Sequence, residues 1–127
     1  MEHNYPSRFI LYPTNNNINN IIMDITKKCI PCQGGVPKLN SEEITQFLSK
    51  IDNYWMVEDD RLFKDFDFND YNQAVNFANN VVNIANEEEH HPYIHINYKN
   101  VRIILFTHKI NGLHENDFLM AAKIDKI

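Results

Sequence analysis

Two pairs of short alternating runs flank one long amphipathic segment, and that arrangement leaves the chain few architectures. In the long segment Tyr71, Ala74, Val75, Ala78, Val81, Val82 and Ala85 recur at helical spacing and form one apolar stripe. Asn72, Gln73, Asn76, Asn79, Asn80 and Asn83 occupy the opposite side. The pattern predicts a helix, capped by Asn69, with one face on a sheet. The helix runs out in Glu87, Glu88 and Glu89, although negative charge at a helix C-terminus opposes the macrodipole. A solvated end explains the three carboxylates. A negative potential beside the histidines that follow is the alternative.

The first pair of runs is Tyr54–Glu58 and Arg61–Phe68, joined by a tight turn at Asp59-Asp60. Leu62, Phe66 and Phe68 share one face of the second run. Ile94–Lys99 and Val101–His108 make the other pair, with Asn100 near the turn. Val101, Ile103 and Leu105 face one way, and Arg102, Ile104, Phe106 and His108 the other. A helix starts at Asn40 or Ser41, where Asn40 and Glu43 have the spacing of a capping box, and it buries Ile44, Phe47, Leu48 and Ile51. Gly112 marks a turn. A last helix, Glu115–Ile124, turns Phe118, Leu119, Ala122 and Ile124 inward, and Asp117 lies in its first turn, where free N–H groups stabilise a carboxylate. The order α-β-β-α-β-β-α predicts an α+β domain: a four-stranded antiparallel sheet with helices packed on one face. Its uncovered edge is a place for a second subunit.

At 127 residues the chain fits one domain, and its 43% apolar share is enough for one core. A net charge of −5 argues against nucleic acid as a partner, because phosphate binding needs a basic surface. No run approaches the roughly 18 apolar residues of a membrane span, and neither a secretory h-region nor a cleavage site is visible. The expected location is the cytoplasm, with both cysteines reduced. Residues 1–22, with an asparagine tract from Asn15 to Asn20, read as an extension. The working domain is expected to span residues 23–127, and a chain starting at Met23 that failed to fold would refute that boundary.

Cys29 and Cys32 form a CxxC. As half a zinc site it lacks a second pair, and as a redox motif it lacks a βαβ context. A structural loop is the plainer reading, continued by the turn residues Gln33-Gly34-Gly35-Val36-Pro37.

The chemistry concentrates in Glu87–His108. His90 and His91 precede Pro92, and His108 closes the last strand-like run. Imidazole, with an unperturbed pKa of about 6.5, both gives and takes a proton near neutral pH. Three of them at the ends of neighbouring elements are hard to explain as packing. His3, His95 and His114 stand in unlike contexts and read as surface or capping residues.

These residues resemble the pterin-4a-carbinolamine dehydratases. The pattern is a charged residue, three residues, His-His-Pro, a spacer, an aromatic, nine residues, His, and later Asp. Here it reads His90-His91-Pro92, Tyr98, His108, Asp117. Gly112–Asp125 and the Cys29–Pro37 segment resemble bacterial members in particular, and the likeness runs from about Lys27 to the end. Two positions depart from the pattern. Asn86 stands where the charged residue is usual, and Glu87, one place on, is turned by about 100° on a helix. Ile94 stands where many relatives place an aromatic.

The resemblance implies a 4a-hydroxytetrahydropterin substrate, dehydrated to quinonoid dihydropterin in tetrahydrobiopterin recycling. It implies no metal and no cofactor. A carbinolamine needs one group to protonate the leaving hydroxyl and another to take a ring proton, each contributing roughly 10²–10⁴ in rate. His90 and His108 take those roles, and His91 binds and orients the substrate, although His90 and His91 could exchange. The implied substrate contacts are His91, Pro92, Glu89 and Thr107. Asp117, Asn86 and Glu87 are the supporting residues, and Tyr98 belongs to either the core or the site. Pro92 serves chiefly to fix the backbone. A homodimer or homotetramer is expected. Two other readings compete: a non-enzymatic dimerisation module, and a Cys/His metal site built from Cys29, Cys32 and the histidine pair.

Overall fold

The structure, a computed structural model, describes residues 22–30 and 34–127. The expected N-terminal extension, apart from Ile22, and Cys32 with its neighbours Pro31 and Gln33 lie outside the described residues. In chain order the elements are α1 (Ser41–Leu48), β1 (Met56–Glu58), β2 (Arg61–Asp67), α2 (Tyr71–Glu88), β3 (Tyr93–Asn97), β4 (Asn100–Leu105), a short 3-10 turn (His108–Ile110) and α3 (Glu115–Ile124). The fold is α+β, as the element order predicts.

All four strands join one antiparallel sheet in the order β1-β2-β4-β3. Each hairpin is a neighbouring pair, and β2 and β4 meet in the middle, with Leu62 opposite Leu105 and Phe66 opposite Val101. Asp59 and Asp60 both have positive φ, 51° and 58°, the backbone of a two-residue type I′ hairpin turn. One face of the sheet carries Leu62, Val101, Ile103 and Leu105, all fully buried beneath the helices.

The capping box at α1 is present: Asn40 accepts from the Glu43 N–H, and Glu43 accepts from the Asn40 N–H. Leu48 is buried there, with Ile44, Phe47 and Ile51 packed partly against the core. In α2 the buried stripe is Ala74, Phe77, Ala78, Val81 and Ala85. Phe77, absent from the predicted stripe, carries much of the packing through ring contacts with Phe66 and Phe68 at 4.5 and 5.0 Å. Tyr71 and Val82, which the periodicity placed on that stripe, are exposed. At about 100° per residue they fall together on one margin of the stripe, beside its buried centre. The α2 cap is Asp70, not Asn69: the Asp70 carboxylate accepts from the Gln73 N–H at 2.8 Å. Position i+3 selects the cap, and Asn69 lies one residue too early for it.

The first hairpin strand is shorter than its apolar run. Trp55 precedes β1 and is fully buried, and its Nε1 donates to Asp125 at 2.8 Å. β4 also stops early, at Leu105, so His108 stands on the 3-10 turn instead of a strand end. α3 is buried from Asn116 through Ala122, on both its inner and outer sides. The helix therefore occupies the centre of the helical layer, and its two ends carry the buried Asp117 and the half-buried Asp125.

Candidate active site

Three chain reversals bring the histidines to one rim. At the end of α2 Glu89 adopts a left-handed conformation, φ 53°. This closes the helix and lets the His90 N–H donate back to Ala85 at 3.2 Å. The next reversal follows β4, where Thr107 and Gly112 pair through two backbone hydrogen bonds of 3.0 and 3.4 Å. That closed loop lifts His108 above the sheet, and Asn111, also left-handed, turns the chain back. A side chain at Gly112 would press on Lys38, its Cβ 2.6 Å from the lysine chain. Third, α3 starts at its N-cap His114, whose Nδ1 accepts from the Asn116 N–H.

The three reversals surround an open cavity of about 340 Å³. Its lining includes His90, His91, His108, Glu89, Thr107 and Phe106. The volume lies within the range of small-molecule sites. Pro92, Asn86 and Glu87 are not in the lining. Pro92 is half-buried behind it, and Glu87 is exposed on α2.

His90 is the most constrained of the three. Its Nε2 lies 2.6 Å from Asp117 Oδ1. The other oxygen, Oδ2, accepts from the Thr107 hydroxyl at 2.8 Å and from the His114 N–H at 3.0 Å. Asp117 is fully buried in the first turn of α3, so a carboxylate at that spot is met by donors on both oxygens. A carboxylate only accepts, so in the neutral ring the tautomer that fits has the proton on His90 Nε2 and makes Nδ1 the acceptor nitrogen. Thr107 is 5% exposed and its proton is committed to Asp117, leaving only its lone pairs for a ligand.

His91 and His108 are more open. Asn86 Oδ1 lies 3.3 Å from His91 Nε2, so the neutral amide reaches the ring from one helical turn away. His108 Nε2 shares a 3.1 Å hydrogen bond with the Tyr93 hydroxyl. The edges of Tyr93 and Phe106 hold the ring at centroid distances of 5.7 and 5.0 Å. Arg61 in turn lies over Phe106, 4.8 Å from its centroid.

Several sequence readings change here. The three glutamates are not one solvated end. The Glu88 side chain is only 7% exposed and pairs with Lys123 of α3, and it accepts from the Cys29 N–H at 2.8 Å. Burial alone would raise its carboxyl, but the bonds from Lys123 and Cys29 outweigh that and hold it below the ordinary glutamate range. Tyr98 belongs to neither core nor site. It sits at the tip of the β3–β4 hairpin with φ 53°, two-thirds exposed and 6.4 Å from the ring of Tyr71. The aromatic that meets His108 is Tyr93, which alternation alone could not distinguish from its strand neighbours. His114 is a capping residue and His95 is exposed on the sheet, as read.

Cys29 lines the cavity with its thiol pushed up to about 12, chiefly by burial and then by the Glu88 charge. A thiol so held is a poor nucleophile. Among the described residues no three His, Cys, Asp or Glu side chains converge as a metal ion would require. Among the same residues no helix is long and apolar enough to cross a membrane.

Comparison with known proteins identifies the family. The sequence profile described as "Pterin 4 alpha carbinolamine dehydratase" matches residues 37–127. Curated relatives named provisionally as pterin-4-alpha-carbinolamine dehydratase include one from Rickettsia canadensis, 46% identical over 78% of this chain and 92% of its own length. One from Alkaliphilus metalliredigens is 43% identical over 79% of this chain and 91% of its own. Among solved structures, a transcriptional coactivator/pterin dehydratase from Brucella melitensis superposes with a TM-score of 0.66 at 30% identity, covering 70% of this chain and 96% of that one. With the profile spanning most of the chain and relatives matched along most of their length, this protein belongs to the pterin 4 alpha carbinolamine dehydratase family.

Proposed function

We propose that the protein dehydrates 4a-hydroxytetrahydropterin to quinonoid dihydropterin, in the recycling of a tetrahydropterin, by histidine acid–base catalysis. The observation that carries this reading is the 2.6 Å pair between His90 and the buried Asp117 at the edge of a cavity that His91 and His108 also line. Asp117 fixes the His90 tautomer and leaves Nδ1 to exchange a proton. In the reaction the C4a–O bond breaks, the leaving oxygen takes a proton and departs as water. A ring nitrogen gives up its proton, and a C=N bond forms in its place. One imidazole enters protonated and one neutral, and the product leaves with the two roles exchanged, so solvent must reset them through the open rim.

His90 and His108 are assigned the two proton transfers. His91, with Asn86 behind it, orients the substrate, and Glu89 and Thr107 offer acceptors to its ring N–H and amino groups. Residues 23–127 are proposed as the working unit, since Met23 is buried in the core and donates to Lys50 at 3.4 Å. Oligomerisation through the open sheet edge or the bare helix margin remains part of the proposal, as does a cytoplasmic location.

A second reading has one observation in its favour. The Brucella protein is described as a transcriptional coactivator as well as a pterin dehydratase. In that reading the fold serves as a binding module for another protein. The deciding experiment is a dehydratase assay on synthetic carbinolamine. His90→Ala and His108→Ala are each expected to slow turnover at least tenfold while circular dichroism stays unchanged. Wild-type protein without turnover, returning a stoichiometric protein partner in a pull-down, would replace the enzymatic reading with the binding one.

A further inference from the structure

The family profile begins at residue 37, yet part of the cavity wall comes from before it. Cys29 and Ile30 form a short strap laid across the ends of α2 and α3. Three hydrogen bonds pin its backbone. Glu88 accepts from the Cys29 N–H at 2.8 Å, Asn116 Oδ1 accepts from the Ile30 N–H at 3.0 Å, and Asn116 Nδ2 donates back to the Ile30 carbonyl. Asn116 is only 4% exposed and uses both ends of its amide on this one residue. Such a two-point grip mimics the pairing of a neighbouring strand and fixes both position and direction of the backbone.

The side chain so fixed is unusual for an anchored residue. Ile30 is 67% exposed and lines the cavity, while the thiol of Cys29 turns toward α3, 3.8 Å from the Asn116 carbonyl. The lining is otherwise dominated by imidazoles, carboxylates and Lys109. Ile30 and Phe106 are its large apolar members, and they come from opposite ends of the fold. Small-molecule sites need apolar area for a flat ring as well as polar groups to orient it. An aliphatic side chain held out into such a cavity by a buried amide is placed for a ligand, not for the core.

We infer that the Cys29–Ile30 strap is a substrate-binding wall, with Ile30 making the apolar contact to the pterin and Asn116 acting as the positioning residue that holds it. This rests on the proposed dehydratase function and adds the element that sets substrate affinity. The strap makes no proton transfer, so its contribution is equal in the ground and transition states. Its loss therefore appears in KM rather than kcat.

The test is a pair of variants and their combination, assayed for carbinolamine turnover and for binding of a fluorescent pterin. Ile30→Ala is expected to lower kcat/KM about fivefold, carried by KM, the scale of a few methylenes lost from a partly open site. Because Ile30 is exposed, the fold is expected to survive. Asn116→Ala should release the strap, raise KM to a similar extent and speed hydrogen exchange at the Ile30 amide. If Asn116 works by holding Ile30, the double variant is no worse than Asn116→Ala alone. Additive losses would overturn the positioning role, and an unchanged KM and pterin affinity in Ile30→Ala would overturn the wall. Either result with an active wild type leaves the dehydratase reading standing. A wild type that neither binds nor turns over pterin defeats that reading and the strap's role with it.

Discussion

The two ends of α3 carry the same side chain, fully buried at one and half-buried at the other, and put it to different uses. Asp117, at the N-terminal end, is fully buried and meets a hydroxyl, a backbone N–H and the ring of His90. Asp125, at the C-terminal end, meets Lys64 at 2.7 Å and the Trp55 indole at 2.8 Å. One partner set includes a group that can change its protonation and opens on a cavity. The other contains a permanent cation, which lies over the rings of Trp55 and Phe66, and a neutral donor. The dipole of the helix favours negative charge at the first end and opposes it at the second. Asp125 accordingly has its carboxyl raised, by burial first, with Lys64 and Trp55 only partly offsetting it. A buried carboxylate is thus not in itself a mark of chemistry. What it touches, and whether that partner reaches solvent, decides.

The comparison breaks most easily at Asp117. Asp117→Asn keeps the shape but lets His90 take the other tautomer, so kcat is expected to fall roughly a hundredfold with little change in KM, measured on synthetic carbinolamine. A comparable loss from Asp125→Ala would erase the distinction. That variant is instead expected to leave kcat/KM within about twofold and to cost about 2–3 kcal/mol in denaturant unfolding, because the indole N–H loses its acceptor in the interior.

A finer distinction lies in pH. Glu88 has its carboxyl lowered in the fold, so its contribution to stability is present above its ordinary value of 4.5 and is lost as pH falls through the lower folded one. Asp125 has its carboxyl raised from 3.8, so its effect runs the other way: the fold is favoured below that value and loses the benefit as pH rises through the folded one. Unfolding free energies between pH 3 and 6 should therefore show a shallower acid-side decline in Glu88→Gln and a steeper one in Asp125→Asn. The smallest effect concerns the pair behind His91. Asn86→Glu restores a charge where the family pattern has one and is expected to raise kcat/KM about threefold; a decrease would show that the neutral amide is the better partner here.

The sequence made the architecture readable because both periodicities are strong: alternation in Val101–Leu105 and a helical stripe around Ala74, Ala78 and Val81 each place their residues on the buried face. Errors fell at boundaries. Asn69 and Asp70 are both good caps, and only the bond to Gln73 separates them. His90, His91, His108, Glu89 and Thr107 were found from local spacing and family pattern, and all five line one cavity. Residues that come from afar were not legible. Glu88 looked like one of three surface charges because its partners, Lys123 and Cys29, are 35 and 59 positions away. Nothing in the Cys29 region announced that its backbone would close a wall, since the amide that grips it sits in α3. Tyr98 shows the converse: a residue in the right place for a motif can point away from the site when a turn needs it.

The C-terminal end of α3 also has an optical consequence. Trp55 is the chain's single tryptophan, and its indole is bonded to Asp125 in the dry interior. Its emission therefore reports on that end of the molecule, blue-shifted while the fold holds and moving to the red when Asp125 lets go. It does not line the cavity of the imidazoles, so without ligand its emission tracks unfolding of the opposite end of α3.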